Sequence, residues 1–183
     1  MSDVLTLERF QGFALFESHG PGDLEQLSAS FEELSLAAGE TVFRQGDDSP
    51  ALYLLTEGAV DISLAVPGGG EALIVTLEPR TVFGESSFFH PSPHHATAVC
   101  RTPAKLLRLS RAAYDELLAR SSLPAFRLGA KAAEIMAARF QATDGWIAEL
   151  LSEEQQAILA HWRRFREGLS GTFEVPHGFM HPF

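Results

Sequence analysis

The sequence predicts a mainly β protein: an antiparallel β-roll of the jelly-roll type with helices before and after it. Between residues 33 and 110, short apolar runs recur, and turn residues separate them at fairly even intervals. Along residues 60–66, apolar side chains alternate with Asp61 and Ser63, and Leu73, Val75 and Leu77 alternate likewise. Alternation of period two is typical of half-buried strands, and several such strands with Gly and Pro turns between them favour a sandwich, roll or barrel.

The first section of the chain, residues 4–31, has the texture of short helices. Its apolar residues are too crowded for one stripe, which suits short and well-buried helices. The Gly-Pro-Gly sequence at residues 20–22 is expected to separate two of them. Asp23 is then expected to cap the second helix.

Helices are predicted again after the strands, over residues 111–120, 124–142 and 153–167. Pro124 suits the first turn of the long helix, and Ser152 with Gln155 forms a capping-box signature for the last one. The inward face of the long helix is predicted to carry Phe126, Ala130, Ala133, Met136 or Ala137, and Phe140. An interruption is expected at residues 143–145, which divides the chain into a domain, 1–143, and a helical extension with an apolar tail, 144–183.

Composition, net charge and cysteine content exclude several classes of protein. Of 183 residues, 45% are apolar and 21% charged, which is ordinary for a globular protein. The formal net charge is −10, and an acidic surface repels phosphate backbones, so no nucleic-acid partner is expected. The lone Cys100 excludes an internal disulfide and predicts a cytoplasmic protein. Without a long apolar run or a basic leader, we expect neither a membrane span nor secretion.

Two segments carry a resemblance to a known family. The first runs from Leu36 to Asp47 and on through residues 51–62. The second contains Phe83-Gly84-Glu85, then residues 94–99 (His-His-Ala-Thr-Ala-Val) and 104–110. Together they resemble the cyclic-nucleotide-binding domain family, as in the sensory domain of cAMP-receptor-type regulators. The resemblance covers roughly residues 5–142 and implies an eight-stranded β-roll with a phosphate-binding cassette, here residues 83–99.

The resemblance implies a ligand site at Gly84, Glu85, Ser86, His94 and His95. Gly84 would let the backbone approach an anionic phosphate, and Glu85 would accept the ribose 2′-hydroxyl. The family's phosphate-clamping arginine is replaced by His94, which offers no guanidinium fork and is mostly neutral at pH 7. Arg101 lies further along the next strand, so it is not expected to take the arginine's place. Three interpretations follow: a cyclic nucleotide (cAMP or cGMP) bound weakly and better at low pH, a different ligand, or a pocket that has lost its ligand.

Other chemistries receive little support. His90, His94 and His95 cluster near a Pro-Ser-Pro loop, but the His-x-His strand motif of cupin metal sites is missing, so no metal is predicted. His177 and His181 are weaker candidates still. No Gly-x-Ser-x-Gly elbow and no Gly-x-x-x-x-Gly-Lys loop is present. No catalytic residue and no cofactor are therefore predicted.

The expected role is a non-enzymatic regulatory protein whose output passes through a partner or an oligomer. The residues after 143 are too few for a winged helix-turn-helix, so no DNA-reading module is expected. Small residues spaced by four, at Gly129, Ala133 and Ala137, suggest close packing along the 124–142 helix. That helix and the extension are predicted to form a homodimer or partner contact. The alternative is a ligand-free scaffold or interaction protein with the same fold.

Overall fold

The computed structural model describes residues 7–48, 50–66 and 68–150. The chain forms two compact units, Met1–Ala133 and Glu134–Phe183. The strands of the described residues are β1 (Glu32–Leu36), β2 (Thr41–Phe43), β3 (Ala51–Glu57), β4 (Val60–Ala65), β5 (Glu71–Leu77), β6 (Thr81–Phe83), β7 (Thr97–Cys100) and β8 (Ala104–Ser110). The α-helices are α1 (Pro21–Ser28), α2 (Glu85–Phe89), α3 (Arg111–Ala119) and α4 (Leu123–Leu150), and two short 3-10 helices precede α1, at Leu7–Phe10 and Ala14–Phe16.

The strands form two four-stranded antiparallel sheets, which confirms the predicted β-roll. One sheet has the order β1-β8-β3-β6 and the other β2-β7-β4-β5. Some neighbouring strands are distant in the sequence. Strands β3 and β8, for example, pair with Tyr53 opposite Arg108 and Leu55 opposite Leu106. Strand β6 pairs with the other edge of β3, with Phe83 opposite Tyr53, and this brings the cassette that follows β6 beside β3.

The core of the roll is filled by side chains from both sheets. They are all buried: Phe43, Ala51, Tyr53, Leu55, Val60, Phe83, Ala98, Cys100, Ala104 and Leu106. The alternate residues of β3 and β8, among them Leu52, Leu54 and Leu107, are buried as well. Since neighbouring residues of a strand point to opposite faces, this sheet is covered on both sides. Cys100 is a free cysteine buried in this core.

The N-terminal helices form an aromatic lobe around Phe10, Phe13 and Phe16, whose rings meet edge to face. The expectation that Asp23 caps the second helix is wrong. Helix α1 begins at Pro21 after the N-cap Gly20, and Asp23 sits one turn in, accepting a hydrogen bond from the Gly20 N–H at 3.1 Å. Proline is tolerated in a first helical turn, where its missing N–H has no partner to lose.

The prediction of a strand at β5 is confirmed, but two of the apolar residues that alternate along it are exposed and not buried. Leu73 and Val75 are 57% and 44% exposed, and Ile74 between them is 56% exposed. Strand β5 is the edge of its sheet, and a register shift between Ile62 and Ser63 interrupts its pairing with β4. The outer part of this hairpin therefore lies beyond the core.

Helix α4 differs from its prediction at its end and on its buried face. It continues through residues 143–145 to Leu150, with the Thr143 hydroxyl donating to the Arg139 carbonyl one turn earlier at 2.9 Å. A helical glycine such as Gly145 costs about 1 kcal/mol relative to alanine, which is not enough to end the helix. In the first unit, three of the residues predicted to face inward are exposed: Phe126, Ala130 and Ala133. The buried residues there are Pro124, Ala125, Leu128 and Ala132.

In the second unit the described residues are helical, from 134 to 150, and residues 136–143 are all exposed. Met136 and Phe140, predicted to face inward, are among them. The predicted helix 153–167 and the apolar tail lie outside the described residues, and the division at residue 143 stays a prediction. The described helices include none with the length and hydropathy that crossing a membrane needs.

Candidate functional site

The cassette begins where β6 ends, at Gly84. Its φ of 78° lies in the left-handed region, and a Cβ built there would come within 2.6 Å of the Ala51 carbonyl oxygen of β3. Any other residue would require the backbone of β3 to move, because a carbonyl cannot turn aside as a flexible side chain can. Glycine therefore lets the chain turn tightly against the sheet and start helix α2 at Glu85.

Helix α2 is anchored by Phe88, which is fully buried, and by Arg111 at the start of α3. Arg111 Nη1 donates to the Phe88 carbonyl at 2.9 Å, while its Nε donates to Asp115 Oδ1 at 2.8 Å. A cation at the last carbonyls of a helix supplies partners that the helix end lacks. Sequence reasoning missed Arg111 as a positioning residue of the cassette, because nothing in the sequence indicates that α3 begins beside α2.

His94 points into the roll. It is 4% exposed, and its ring stacks on Phe43 with centroids 3.8 Å apart and planes 7° from parallel. Its Nδ1 lies 2.9 Å from Ser87 Oγ, and that hydroxyl lies 3.3 Å from the Gly84 carbonyl oxygen. The loop is fixed by its backbone too, with the His94 N–H donating to the Asp47 carbonyl at 2.9 Å. Gly84, Ser87 and His94 thus form one connected group.

The predicted site residues divide into two sets. Gly84 and His94 are joined through Ser87, and Glu85 is half-buried as the first residue of α2. Ser86 and His95 are exposed. Sequence reasoning missed Ser87 and Phe43 as the contacts of His94. Ser87 lay next to the chosen Ser86, but Phe43 is distant in sequence and gave no signal.

Other groups weighed from the sequence lie outside this arrangement. Arg101 follows β7 and interacts at the surface, donating to Thr76 Oγ1 at 3.0 Å and lying 3.6 Å from Asp61. As expected, it does not take the place of the clamping arginine. A group of three or more His, Cys, Asp or Glu side chains able to hold a metal ion does not occur in the part of the chain that the structure describes.

The cassette has the elements of an anion site without a buried arginine at its clamp position. The first N–H groups of a helix lack partners within that helix, and α2 begins directly after a glycine held against β3. The group at the clamp position is an imidazole, which can donate through two nitrogens when protonated and through one when neutral. A β-roll with a cassette that starts at such a glycine has the architecture of the cyclic-nucleotide-binding domains that the sequence resembles.

Comparison with known proteins agrees with this class. The family model described as "Cyclic nucleotide-binding domain" matches residues 33–121. The cyclic AMP receptor protein of Thermus thermophilus is 30% identical over 91% of this chain and 76% of its own length. A cAMP-dependent protein kinase regulatory subunit of Dictyostelium discoideum is 31% identical over 47% of this chain and 26% of its own. The chain belongs to the cyclic-nucleotide-binding domain family.

Solved structures give the same fold. The catabolite activator protein of Thermus thermophilus superposes with a TM-score of 0.67 at 30% identity, over 75% of this chain. This chain covers 62% of that protein, so it spans less than two thirds of the solved regulator. These three relatives are named as a cyclic AMP receptor, a kinase regulatory subunit and an activator, which supports a regulatory, sensory role for this domain.

Proposed function

We propose that this chain is a non-enzymatic sensory module that binds a cyclic nucleotide, cAMP or cGMP, weakly in the cassette. Gly84, Glu85, Ser86, His94 and His95 form the site. The phosphate lies against the first N–H groups of α2, and Glu85 accepts the ribose 2′-hydroxyl, as the family pattern implies. The observation that carries the proposal is the cassette itself: a glycine held against β3, directly followed by a helix start, in a chain of this family.

His94 accounts for the weak affinity and for its pH dependence. A protonated imidazole can donate from Nδ1 to the Ser87 hydroxyl, whose own hydrogen can pass to the Gly84 carbonyl. The second ring nitrogen then donates to the phosphate. The imidazole carries this charge only when protonated, so binding strengthens as the pH falls. Arginine in its place would supply a permanent charge and a planar fork.

Isothermal titration of cAMP and cGMP at about pH 6 and about pH 7.5 tests this proposal. We expect micromolar binding that is tighter at the lower pH. His94→Arg should bind at least about tenfold more tightly at about pH 7.5 and lose the pH dependence, because a charge-assisted pair contributes about 1.5–3 kcal/mol. His90→Arg is the matched control, since His90 is an exposed histidine outside the proposed site and adds the same charge nearby.

A ligand-free scaffold is the second candidate, and the packing of His94 favours it. The imidazole stacks on Phe43 and lies within hydrogen-bonding distance of Ser87, so the ring is already packed as an interior side chain. Under this alternative the native protein gives no binding heat at either pH, while His94→Arg binds. Absence of heat for both proteins would remove the cassette as a ligand site.

The output is proposed to pass through a second copy of the chain or a protein partner, by way of α4 and the C-terminal extension. Exposed apolar residues are present along α4: Leu123, Phe126, Met136 and Phe140. A helix exposed on every side is marginal in water, and these side chains gain by burial against another surface. The net charge of −10 disfavours nucleic acid as that partner. We place the protein in the cytoplasm, where the thiol of Cys100 stays reduced.

A further inference from the structure

Strand β5 is the edge of its sheet, and it is apolar on both faces. In the order β2-β7-β4-β5, its only strand neighbour among the described residues is β4. The consecutive residues Leu73, Ile74 and Val75 are all exposed. Since successive side chains of a strand point to opposite faces, apolar surface is open on both sides of this strand. A contiguous apolar patch of this kind commonly marks an interaction surface.

The outer edge of β5 also offers backbone groups for pairing. An edge strand directs alternate N–H and C=O groups away from its one neighbour. Charged residues or prolines commonly protect such an edge, but residues 72–77 contain neither. An extended segment that adds to this edge pairs with those backbone groups and covers the exposed apolar side chains. The edge therefore has the form of a docking site for a strand.

The charges at the ends of this edge determine what kind of strand fits. Glu71 and Glu78 are exposed at the two ends of the apolar segment, about 24 Å apart along an extended strand. Glu71 accepts a hydrogen bond from the Ser63 hydroxyl at 2.9 Å, and neither carboxylate has a cation partner within the described part of the chain. Lys or Arg at both ends of an incoming strand would complement these two carboxylates.

A second copy of β5 does not meet this requirement. When two antiparallel β5 strands overlap fully, Glu71 of one lies opposite Glu78 of the other at both ends. Directly opposed like charges destabilise a pair of strands. Arg101 donates to Thr76 of the same strand, but it lies 3.6 Å from Asp61, which neutralises its charge. Charge complementarity therefore favours a different chain with basic residues.

We propose that the β5 edge binds an extended segment of another protein, with an apolar, β-branched centre and a Lys or Arg at each end. The segment adds to the four-stranded sheet as a further antiparallel strand beside β5. Its backbone pairs with the free edge, and its apolar residues cover Leu73, Ile74 and Val75. Its cations lie beside Glu71 and Glu78. No residue of the cassette or of α4 takes part, so this surface serves a partner of its own.

A peptide of about eight residues, with lysine at both ends and alternating threonine and valine between them, is the probe. Titrated into the ¹⁵N-labelled full-length protein, it should give saturable amide shifts over residues 71–78 and slow the hydrogen exchange of alternate N–H groups there. The same peptide with glutamate at both ends should bind at least about fivefold more weakly, because like charges replace two ion pairs.

The charges can also be exchanged on the protein. Glu71→Lys with Glu78→Lys should reverse the preference, so that the glutamate-ended peptide binds more tightly. Glu25→Lys with Glu116→Lys is the matched control, because both of these carboxylates are exposed on helices and the change in net charge is the same. The control protein should keep its preference for the lysine-ended peptide.

Unchanged amides over residues 71–78 at millimolar peptide would overturn the proposal, as would equal binding of the two peptides or shifts confined to other elements. A reversed preference in the control protein would also overturn it, because net charge alone would then decide. Slow exchange of β5 amides that depends on protein concentration, without any peptide, would mean that a second copy occupies the edge instead. None of these results depends on whether the cassette binds a nucleotide.

Discussion

At the residue scale, Gly84 is the position on which the cassette depends most. Gly84→Ala adds a Cβ that meets the Ala51 carbonyl at 2.6 Å, and it forces an L-residue into a φ of 78°. We expect a loss of roughly 3 kcal/mol in the free energy of unfolding, combining left-handed strain with overpacking. Gly39→Ala is the control, because Gly39 has a φ of 85° with open space around its Cβ, and it should lose only about 1 kcal/mol. If urea unfolding gave the same loss of unfolding free energy for both variants, the contact of residue 84 with β3 would not limit the side chain there.

The buried thiol of Cys100 leads to a prediction about how folding stability depends on pH. Burial, followed by the nearby charge of Glu40, raises the pKa of its thiol. The folded state then holds the proton more tightly than the unfolded state does, so the thiol's contribution to stability is complete below the unfolded pKa of about 8.5 and is lost as the pH rises through the folded pKa.

The unfolding free energy of the native protein should therefore fall more steeply with pH than that of Cys100→Ala above about pH 8.5. Tyr114, whose pKa burial also raises, is present in both proteins and cancels in the comparison. Urea unfolding at a series of pH values measures the two slopes. Parallel slopes would mean that the thiol is not desolvated in the folded state.

At the scale of the element, helix α4 packs against α3 where Gly129 of α4 meets Tyr114 of α3. The Tyr114 hydroxyl donates to the Ala125 carbonyl at 3.1 Å, and it would lie 2.6 Å from a Cβ at Gly129. Gly129→Ala should therefore destabilise the native protein. In a Tyr114→Phe background the clash is gone, and the same substitution should stabilise by up to about 1 kcal/mol through helix propensity. A double-mutant cycle in urea gives both values, and the same sign in both backgrounds would contradict this packing.

The elements also show what the sequence could and could not predict. The strands follow from period-two alternation and Gly and Pro turns, which are local signals. The exposure of Leu73 and Val75 is not local, because it depends on β5 being a sheet edge. Likewise, the prediction for α4 placed Phe126 inward, but Ala125 and Leu128 are buried instead, because the face that α4 presents to Tyr114 of α3 is set by tertiary packing.

The candidate site could be predicted in part for the same reason. Gly84 and Glu85 belong to a contiguous motif, so the sequence placed them correctly at the start of α2. The surroundings of His94 could not be predicted, because Phe43 reaches it from β2 through the tertiary fold.

At the scale of the whole molecule, the exposed apolar residues of α4 predict self-association. Met136 and Phe140 are four residues apart and share one face of the helix. In sedimentation velocity the native protein should have twice the chain mass, and Met136→Glu with Phe140→Glu should be monomeric. Leu73→Glu, an exposed leucine on β5, should leave the dimer intact. A monomeric native protein would point to a different chain as the partner.

The occupancy of the cassette by a cyclic nucleotide is tested most directly by backbone amide NMR with cAMP. We expect saturable shifts concentrated at Gly84, Glu85 and Ser86 and at the loop containing His94, larger at about pH 6 than at about pH 7.5. Amides of the N-terminal lobe, such as that of Gly12, serve as the internal reference. Saturable shifts at those cassette amides would establish the site. Unchanged cassette resonances at millimolar cAMP, or shifts elsewhere, would contradict it.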